Sequence, residues 1–404
     1  MNNKLSKIKC IAIFLAGISA ASIPATVSAD WSIIELRVPG RDYIDATAIN
    51  DLGQVIGHSA SSSDPNTFHV FLTGPNGTGI TELSALDGLS SLAIDINNSG
   101  QIVGAYRPTK EGFHAYVTGP NGTGITDLGT LVGSENYSYA IGINDSGQVL
   151  GYYTNATTGA PHTFITGPNG TDLTDLGTLN EIPLLEGFDR VYSNPGHINS
   201  SGQIAGNISF GKIYPPDYVP EDYPTMHAYI TGPNGVGMTD LGASGGTVEG
   251  SWAGGINDSG HVLIDTYDIA RFERGHSFIV SSDGTRIADL GTLGGTYSAA
   301  ISINNSDQVV GTSTTAGDTS LHAFFFSDGV MHDLSLLPSV VSAGWDNLYP
   351  MDINNNGQIV GYGSLGAFML SPIAAVPEPE TYVMLLAGLG LFGLMARRRK
   401  VSTI

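Results

Sequence analysis

One hairpin recurs along the chain. "GINDSGQVLGYY", Gly142 to Tyr153, has close copies in "DINNSGQIVGAY" from Asp95, "HINSSGQIAGN" from His197, "SINNSDQVVGTS" from Ser302 and "DINNNGQIVGYG" from Asp352. The turn opens at Asn50, Asn97, Asn144, Asn199, Asn257, Asn304 and Asn354, seven copies at steps of 47, 47, 55, 58, 47 and 50 residues. Self-similarity at such a period marks a repeat architecture, in which one supersecondary unit is built many times and buries its apolar surface against its neighbours. Asn, Asp and Ser satisfy backbone donors locally and Gly tolerates positive φ, so these turns suit hairpins.

Each copy carries two further landmarks. A short strand begins at His69, His114, His162, His227, His276 and His322, with Gly366 of "GAFML" in the seventh place. An acidic residue precedes Leu at Glu82, Asp127, Asp175, Asp240, Asp289 and Asp333, 13 residues after the His five times and 11 once. Odd separations across a hairpin keep both side chains on one face. "TGPNG" turns at Thr73, Thr118, Thr166 and Thr231 join the third strand to the fourth.

Four strands in about 47 residues, seven times over, predict an all-β, seven-bladed β-propeller. The seventh copy reaches Pro372 without a fourth strand, and "WSIIELRVPG" from Trp31 supplies one at the other end. The strand at Ser32 to Leu36 is therefore expected to pair antiparallel with Ala367 to Leu370, closing a ring that leaves no sheet edge exposed. A β-solenoid of four-stranded repeats is the alternative and needs no such closure. Helical periodicity is absent from the body.

The ends read differently. Lys4, Lys7 and Lys9, the apolar run "CIAIFLAGISAASI" and Val27-Ser28-Ala29 have the order of a signal peptide over residues 1–29. Cys10, the chain's single cysteine, lies inside it, so disulfides and thiolate chemistry are excluded from the mature protein. Residues 30–372 form the repeat body, 373–381 a linker, and 382–404 an apolar segment with a basic end. Its apolar part, Tyr382 to Ala396, is short against the roughly 20 residues of a spanning helix.

Pro377, Glu378 and Pro379, a short glycine-rich apolar helix and the cluster Arg397, Arg398, Arg399 and Lys400 resemble the PEP-CTERM sorting signal of exported bacterial proteins. The resemblance implies an exosortase-type peptidase as partner, transient anchoring in the inner membrane through the C-terminal helix, and release to the cell surface or beyond; an uncleaved anchor is the alternative. The body itself resembles the HAF-repeat extracellular family, through the His-Ala-Phe strand, the "INxSGQxxG" hairpin and "DLGTLGG" at Asp289 to Gly295. That resemblance implies a propeller-like fold and surface residence, with no agreed activity.

Three basic residues lie in the leader and four in the tail, so nine of 16 remain on the body against 36 of the 37 acids, a net charge of −27. Such a surface repels phosphate backbones, and nucleic-acid binding is not expected. The six histidines sit one to a blade, too far apart to share a zinc ion, and "INNSG" and "INSSG" lack the carboxylates that calcium requires. No catalytic motif and no cofactor site is recognised. The reading is an exported, non-catalytic surface or matrix protein binding exopolysaccharide or a surface partner; a propeller hydrolase acting on glycans is the alternative, and a ligand-free structural component a third. The candidate ligand site is the long insertion "ISFGKIYPPDYVPEDYPTM" of the fourth repeat, through Tyr214, Tyr218 and Tyr223 as stacking rings and Asp217, Glu221 and Asp222 as acceptors.

Overall fold

The computed structural model describes residues 30–83, 86, 90–109, 112–129, 137–154, 161–177, 190–211, 225–242, 250–268 and 273–373. Residues Trp31–Pro372 form one compact unit of seven four-stranded antiparallel sheets. Six sheets take their strands in chain order, and the seventh joins Trp31–Leu36 to Gly366–Pro372, Ile359–Gly363 and Tyr349–Ile353. Trp31 faces Pro372 and Leu36 faces Ala367, so the N-terminal strand completes the last blade and the ring is closed. The fold is a seven-bladed β-propeller.

The repeated Gly and aromatic residues account for each blade. In the second strand Gly57, Gly104, Gly151, Gly206, Gly311 and Gly361 stand opposite Phe71, Tyr116, Phe164, Tyr229, Phe324 and Phe368 of the third. A Cβ at Gly104 would run into the Leu92 carbonyl of the first strand, which bulges there. Glycine admits that close approach, and the facing ring covers the gap it leaves. These six rings are fully buried. In the fifth blade Ile264 takes the glycine position, and Phe278 opposite it carries the Arg286 guanidinium 3.6 Å from its centroid.

The core lies largely between blades. One apolar cluster joins Ile56, Val70 and Leu72 to Ala93, Ile96 and Ile102, and another joins Val310, Ala323 and Leu334 to Ile353, Ile359 and Phe368. Among the described residues one α-helix stands beside the strands. Pro338–Ser342 is a five-residue helix in the connection from the sixth blade to the seventh. Pro338 presets the helical φ where its missing N–H is not needed, and Val340 is buried.

Candidate functional site

The first strand of each blade runs towards its Asn turn along the propeller's axis, so residues at a fixed offset from the Asn form rings around a central shaft. The motif asparagines form a closed ring. The side-chain amide of Asn50 donates to the Asn97 carbonyl, Asn97 to Asn144, Asn144 to Asn199, Asn199 to Asn257, Asn257 to Asn304, Asn304 to Asn354 and Asn354 back to Asn50, all at 2.9–3.1 Å. Within its own turn each Oδ1 accepts the N–H groups two and four residues on, as at Asn144 from Ser146 and Gln148. The motif glutamines reach forward too. Gln54, Gln101, Gln148 and Gln358 donate to Asn121, Asn169, Asn234 and Asn76 of the next blade's Pro-Asn-Gly turn. Each of those asparagines has a positive φ, between 53° and 57°.

The shaft opens at this end through Asp51, Asn98, Asp145, Ser200, Asp258, Asn305 and Asn355. Amides are interleaved with the carboxylates: Asn98 Nδ2 bridges Asp51 and Asp145, Asn355 Nδ2 donates to Asp51, and Asn305 Nδ2 to Asp258. Next inward stands a collar of seven isoleucines, Ile49, Ile96, Ile143, Ile198, Ile256, Ile303 and Ile353. Beyond it lies a cavity of about 340 Å³.

Two carboxylates and one imidazole line that cavity, together with Thr47, Ser302, Ile94, Ile141, Ile301 and Met351. Asp95 accepts the Ile143 N–H of the next blade and the Ile96 N–H of its own, each at 2.8 Å. Asp352 accepts Ile49 N–H at 2.9 Å, Ile353 N–H at 2.8 Å and the Ser302 hydroxyl at 2.7 Å. Loss of water, reinforced by the charges of Asp352 and Asp145, pushes Asp95 up to about 7 against the pull of its N–H donors. Burial raises Asp352 as well. His197, on the fourth blade, is exposed to the open space of the shaft, and the surrounding protein lowers its pKa. Neither the mouth nor the cavity has a Lys or Arg in its described wall.

At the other end the first strands begin, and several carry aromatic residues near their starts. Tyr349 and Tyr362 face each other across one strand pair with ring centroids 5.2 Å apart, and Tyr139 and Tyr152 do so at 5.3 Å. Tyr43, Tyr137, Trp252, Tyr349 and Tyr362 are between 38% and 52% exposed. Arg107 lies over the Phe113 ring beside Tyr139.

The histidines and acids of the repeat meet within single blades on this same face. Nδ1 of His114, His162, His227, His276 and His322 lies 2.7–3.5 Å from Asp127, Asp175, Asp240, Asp289 and Asp333. The Asp also accepts the N–H two residues on, at Gly129, Gly177, Gly242, Gly291 and Ser335, which accounts for the "DLG" signature. In the first blade Glu82 takes Arg41 and Ser59 instead. Among the described residues no group of three or more His, Cys, Asp or Glu is placed to hold a metal ion.

Tyr214, Asp217, Tyr218, Glu221, Asp222 and Tyr223 lie outside the described residues, as do Pro377 to Lys400. The flanking strands, Ile204–Gly211 and Thr225–Thr231, end and begin on the aromatic face. Asp95, His197 and Asp352 were not singled out from sequence, though a signal existed. The position two before each motif Asn reads Ala48, Asp95, Gly142, His197, Gly255, Ser302 and Asp352. Between fixed neighbours, so variable a position has no common structural duty.

Fold and shaft define a closed β-propeller with an acidic axial channel. The PEP-CTERM protein-sorting motif matches residues 375–400, and a family described as a protein of unknown function (DUF3466) matches residues 285–368. The first places the chain among exported proteins handled by exosortase-type machinery and directed to the cell surface or beyond. No curated protein matches the chain. Among solved structures it is similar to an oligogalacturonate lyase in complex with manganese, at 13% identity and a TM-score of 0.52 over 85% of this chain and 93% of that one. An oligogalacturonate lyase from Vibrio parahaemolyticus matches at 11% identity and 0.50, over 87% and 99%. The β-propeller domain of the trilobed protease from Pyrococcus furiosus matches at 12% identity and 0.48, over 80% and 91%. At these identities the likeness concerns the fold alone.

Proposed function

We propose that this chain is a non-catalytic, exported propeller that binds extracellular polysaccharide through the aromatic mouth of its shaft. The observation that supports this reading is the group of exposed rings at one end of the ring of blades: Tyr43, Tyr137, Trp252 and the stacked pair Tyr349 and Tyr362. Aromatic faces held by paired strands stack on the apolar faces of sugar rings while their polar edges stay wet. Tyr214, Tyr218 and Tyr223 are proposed to extend the same surface, since the strands that flank them open on it. A leader removed after Ala29 and a tail cut near Pro379 complete the reading. Retention of the chain on insoluble polysaccharides tests it. Trp252→Ala with Tyr362→Ala should abolish retention while leaving the melting temperature nearly unchanged, because both rings are substantially exposed. Equal retention by the folded double variant would overturn it.

A further inference from the structure

We infer that the shaft cavity is a binding site for a protonated amine. Its wall combines three features that belong to a small-molecule site: a concave space of about 340 Å³, an apolar lining from Ile94, Ile141, Ile301 and Met351, and a few polar groups at fixed positions. The polar groups set the charge of the ligand. Asp95 and Asp352 project into the cavity from the two blades that flank the first, and Asp51, Asp145 and Asp258 stand at the asparagine mouth. His197 is the one basic side chain in the described wall. An axial channel of this kind focuses negative potential and draws cations inward, and a bound ammonium favours the ionised form of Asp95 against the burial that pushes it up to about 7.

The geometry favours an ammonium over a metal ion. Each oxygen of Asp95 and of Asp352 already accepts a backbone N–H, which fixes the carboxylates and leaves both oxygens of Asp95 and Oδ2 of Asp352 one lone pair each for a further donor. Calcium takes six to eight oxygens at about 2.3–2.6 Å, and no group of three candidate ligands is assembled among the described residues. An ammonium has three donors and accepts looser geometry. Asp95, Asp352 and the Ser302 hydroxyl supply acceptors, and the aliphatic wall takes the carbon body of the ligand. The amine is inferred from the shaft alone. Its identification with an amino sugar, carried on a polymer held at the aromatic mouth, rests on the polysaccharide reading above. The same charge excludes uronate chains, so the ligand class differs from that in the names of the oligogalacturonate lyases that share this fold.

Calorimetric titration of the full chain with glucosamine, N-acetylglucosamine, galacturonate and calcium tests the site. Glucosamine should bind at least tenfold more tightly than its acetylated form, with no binding of galacturonate, and methylammonium should displace it. His197→Lys places a tethered ammonium in the cavity without touching the clamps made by Asp95 and Asp352, and should weaken glucosamine at least tenfold. Equal affinity for the amine and its acetylated form, calcium binding without amine binding, or unchanged affinity in the folded His197→Lys variant would each overturn the proposal. Displacement by methylammonium needs no variant, so failure of His197→Lys to fold leaves that arm decisive. Polysaccharide retention without glucosamine binding overturns the shaft site alone. Glucosamine binding without retention upholds the shaft and removes the polymer.

Discussion

The side-chain amide of Asn354 donates to the carbonyl oxygen of Asn50 at 2.9 Å, across 304 positions of sequence. That bond is the closing link of the asparagine ring, and it lies on the axis while the pairing of Trp31–Leu36 with Gly366–Pro372 closes the circle at the periphery. The last blade is therefore held to the first on the axis as well as at the periphery.

Each link in the ring is a buried amide with all its capacity used. Asn144→Ala removes donors to the Asn199 carbonyl and Gln148 Oε1, and an acceptor for the N–H groups of Ser146 and Gln148. Four groups are stranded at once, so a loss of about 2–4 kcal/mol is expected. Urea denaturation of the two proteins measures it. A loss below about 0.5 kcal/mol, the range of an ordinary surface change, would show that the ring is incidental to stability.

One junction departs from the repeat on both sides. His261 stands where other blades have Gln, and Asp307 stands where other blades have Gly, and the two side chains meet at 2.8 Å. In the ordinary junctions Gln approaches the next blade's glycine, as Gln148 does at Gly202. Asp307 has a φ of 57°, strained for a residue with a side chain, and it also accepts from Asn257. His261→Gln and Asp307→Gly should each alter stability alone, while the double variant restores the repeat and recovers most of it. A coupling energy of about 0.5–3 kcal/mol in the four-protein cycle is expected. Simple additivity would mean that the two departures are unrelated.

Tyr229 carries a misfit of a different sort. Its ring fills the fourth blade as Phe71, Phe164, Phe324 and Phe368 fill theirs, but its buried hydroxyl has no hydrogen-bond partner among the described residues. Tyr116, the other tyrosine of this set, donates to the Leu92 carbonyl. Tyr229→Phe should therefore raise stability, by about 1 kcal/mol, since an unsatisfied buried hydroxyl costs about 1–3 kcal/mol. Tyr116→Phe should do the opposite. Thermal melts of the pair decide, and a drop in the first would indicate a partner for the Tyr229 hydroxyl.

The architecture was legible because the repeat is regular in the residues that build it. Asn turns, the Gly of the second strand and the aromatic of the third each answer a backbone requirement, and the odd spacing of His114 and Asp127 places them on one face, where they meet. The missing fourth strand after Pro372 foretold the pairing of Trp31 with it. The shaft was not legible in the same way. Asp95, His197 and Asp352 are single residues at 102- and 155-residue separations, brought together only by the closure of the ring. Tyr349 and Trp252 carry no sequence signal that separates them from other strand residues, and only the topology sets them near the starts of first strands. The short helix at Pro338–Ser342 has too few residues to show a period.

The shaft carboxylates also predict how stability responds to pH. Asp95 titrates near 7 in the folded chain against an ordinary value of 3.8, so between those limits the native state holds a proton that the unfolded state has released. Stability from this group is therefore fully present below about pH 4 and declines as pH rises towards 7. Asp352 is displaced in the same direction. His197 opposes them, because its lowered value makes the unfolded state the better proton acceptor between about 4 and 6.5. Asp95→Asn imitates the protonated carboxyl and removes one of these contributions. It also disturbs one of two N–H contacts, to Ile143 or Ile96, a fixed cost at every pH. The informative quantity is the change with pH in the stability difference between variant and wild type. Across the window from about 4 to 7 that difference should move in favour of the variant by up to about 1.4 kcal/mol per pH unit, and it should level off above. Denaturant melts at pH 4.5, 6 and 7.5 measure it, and parallel curves for the two proteins would mean that Asp95 ionises at its ordinary value and that the shaft imposes no penalty on its charge.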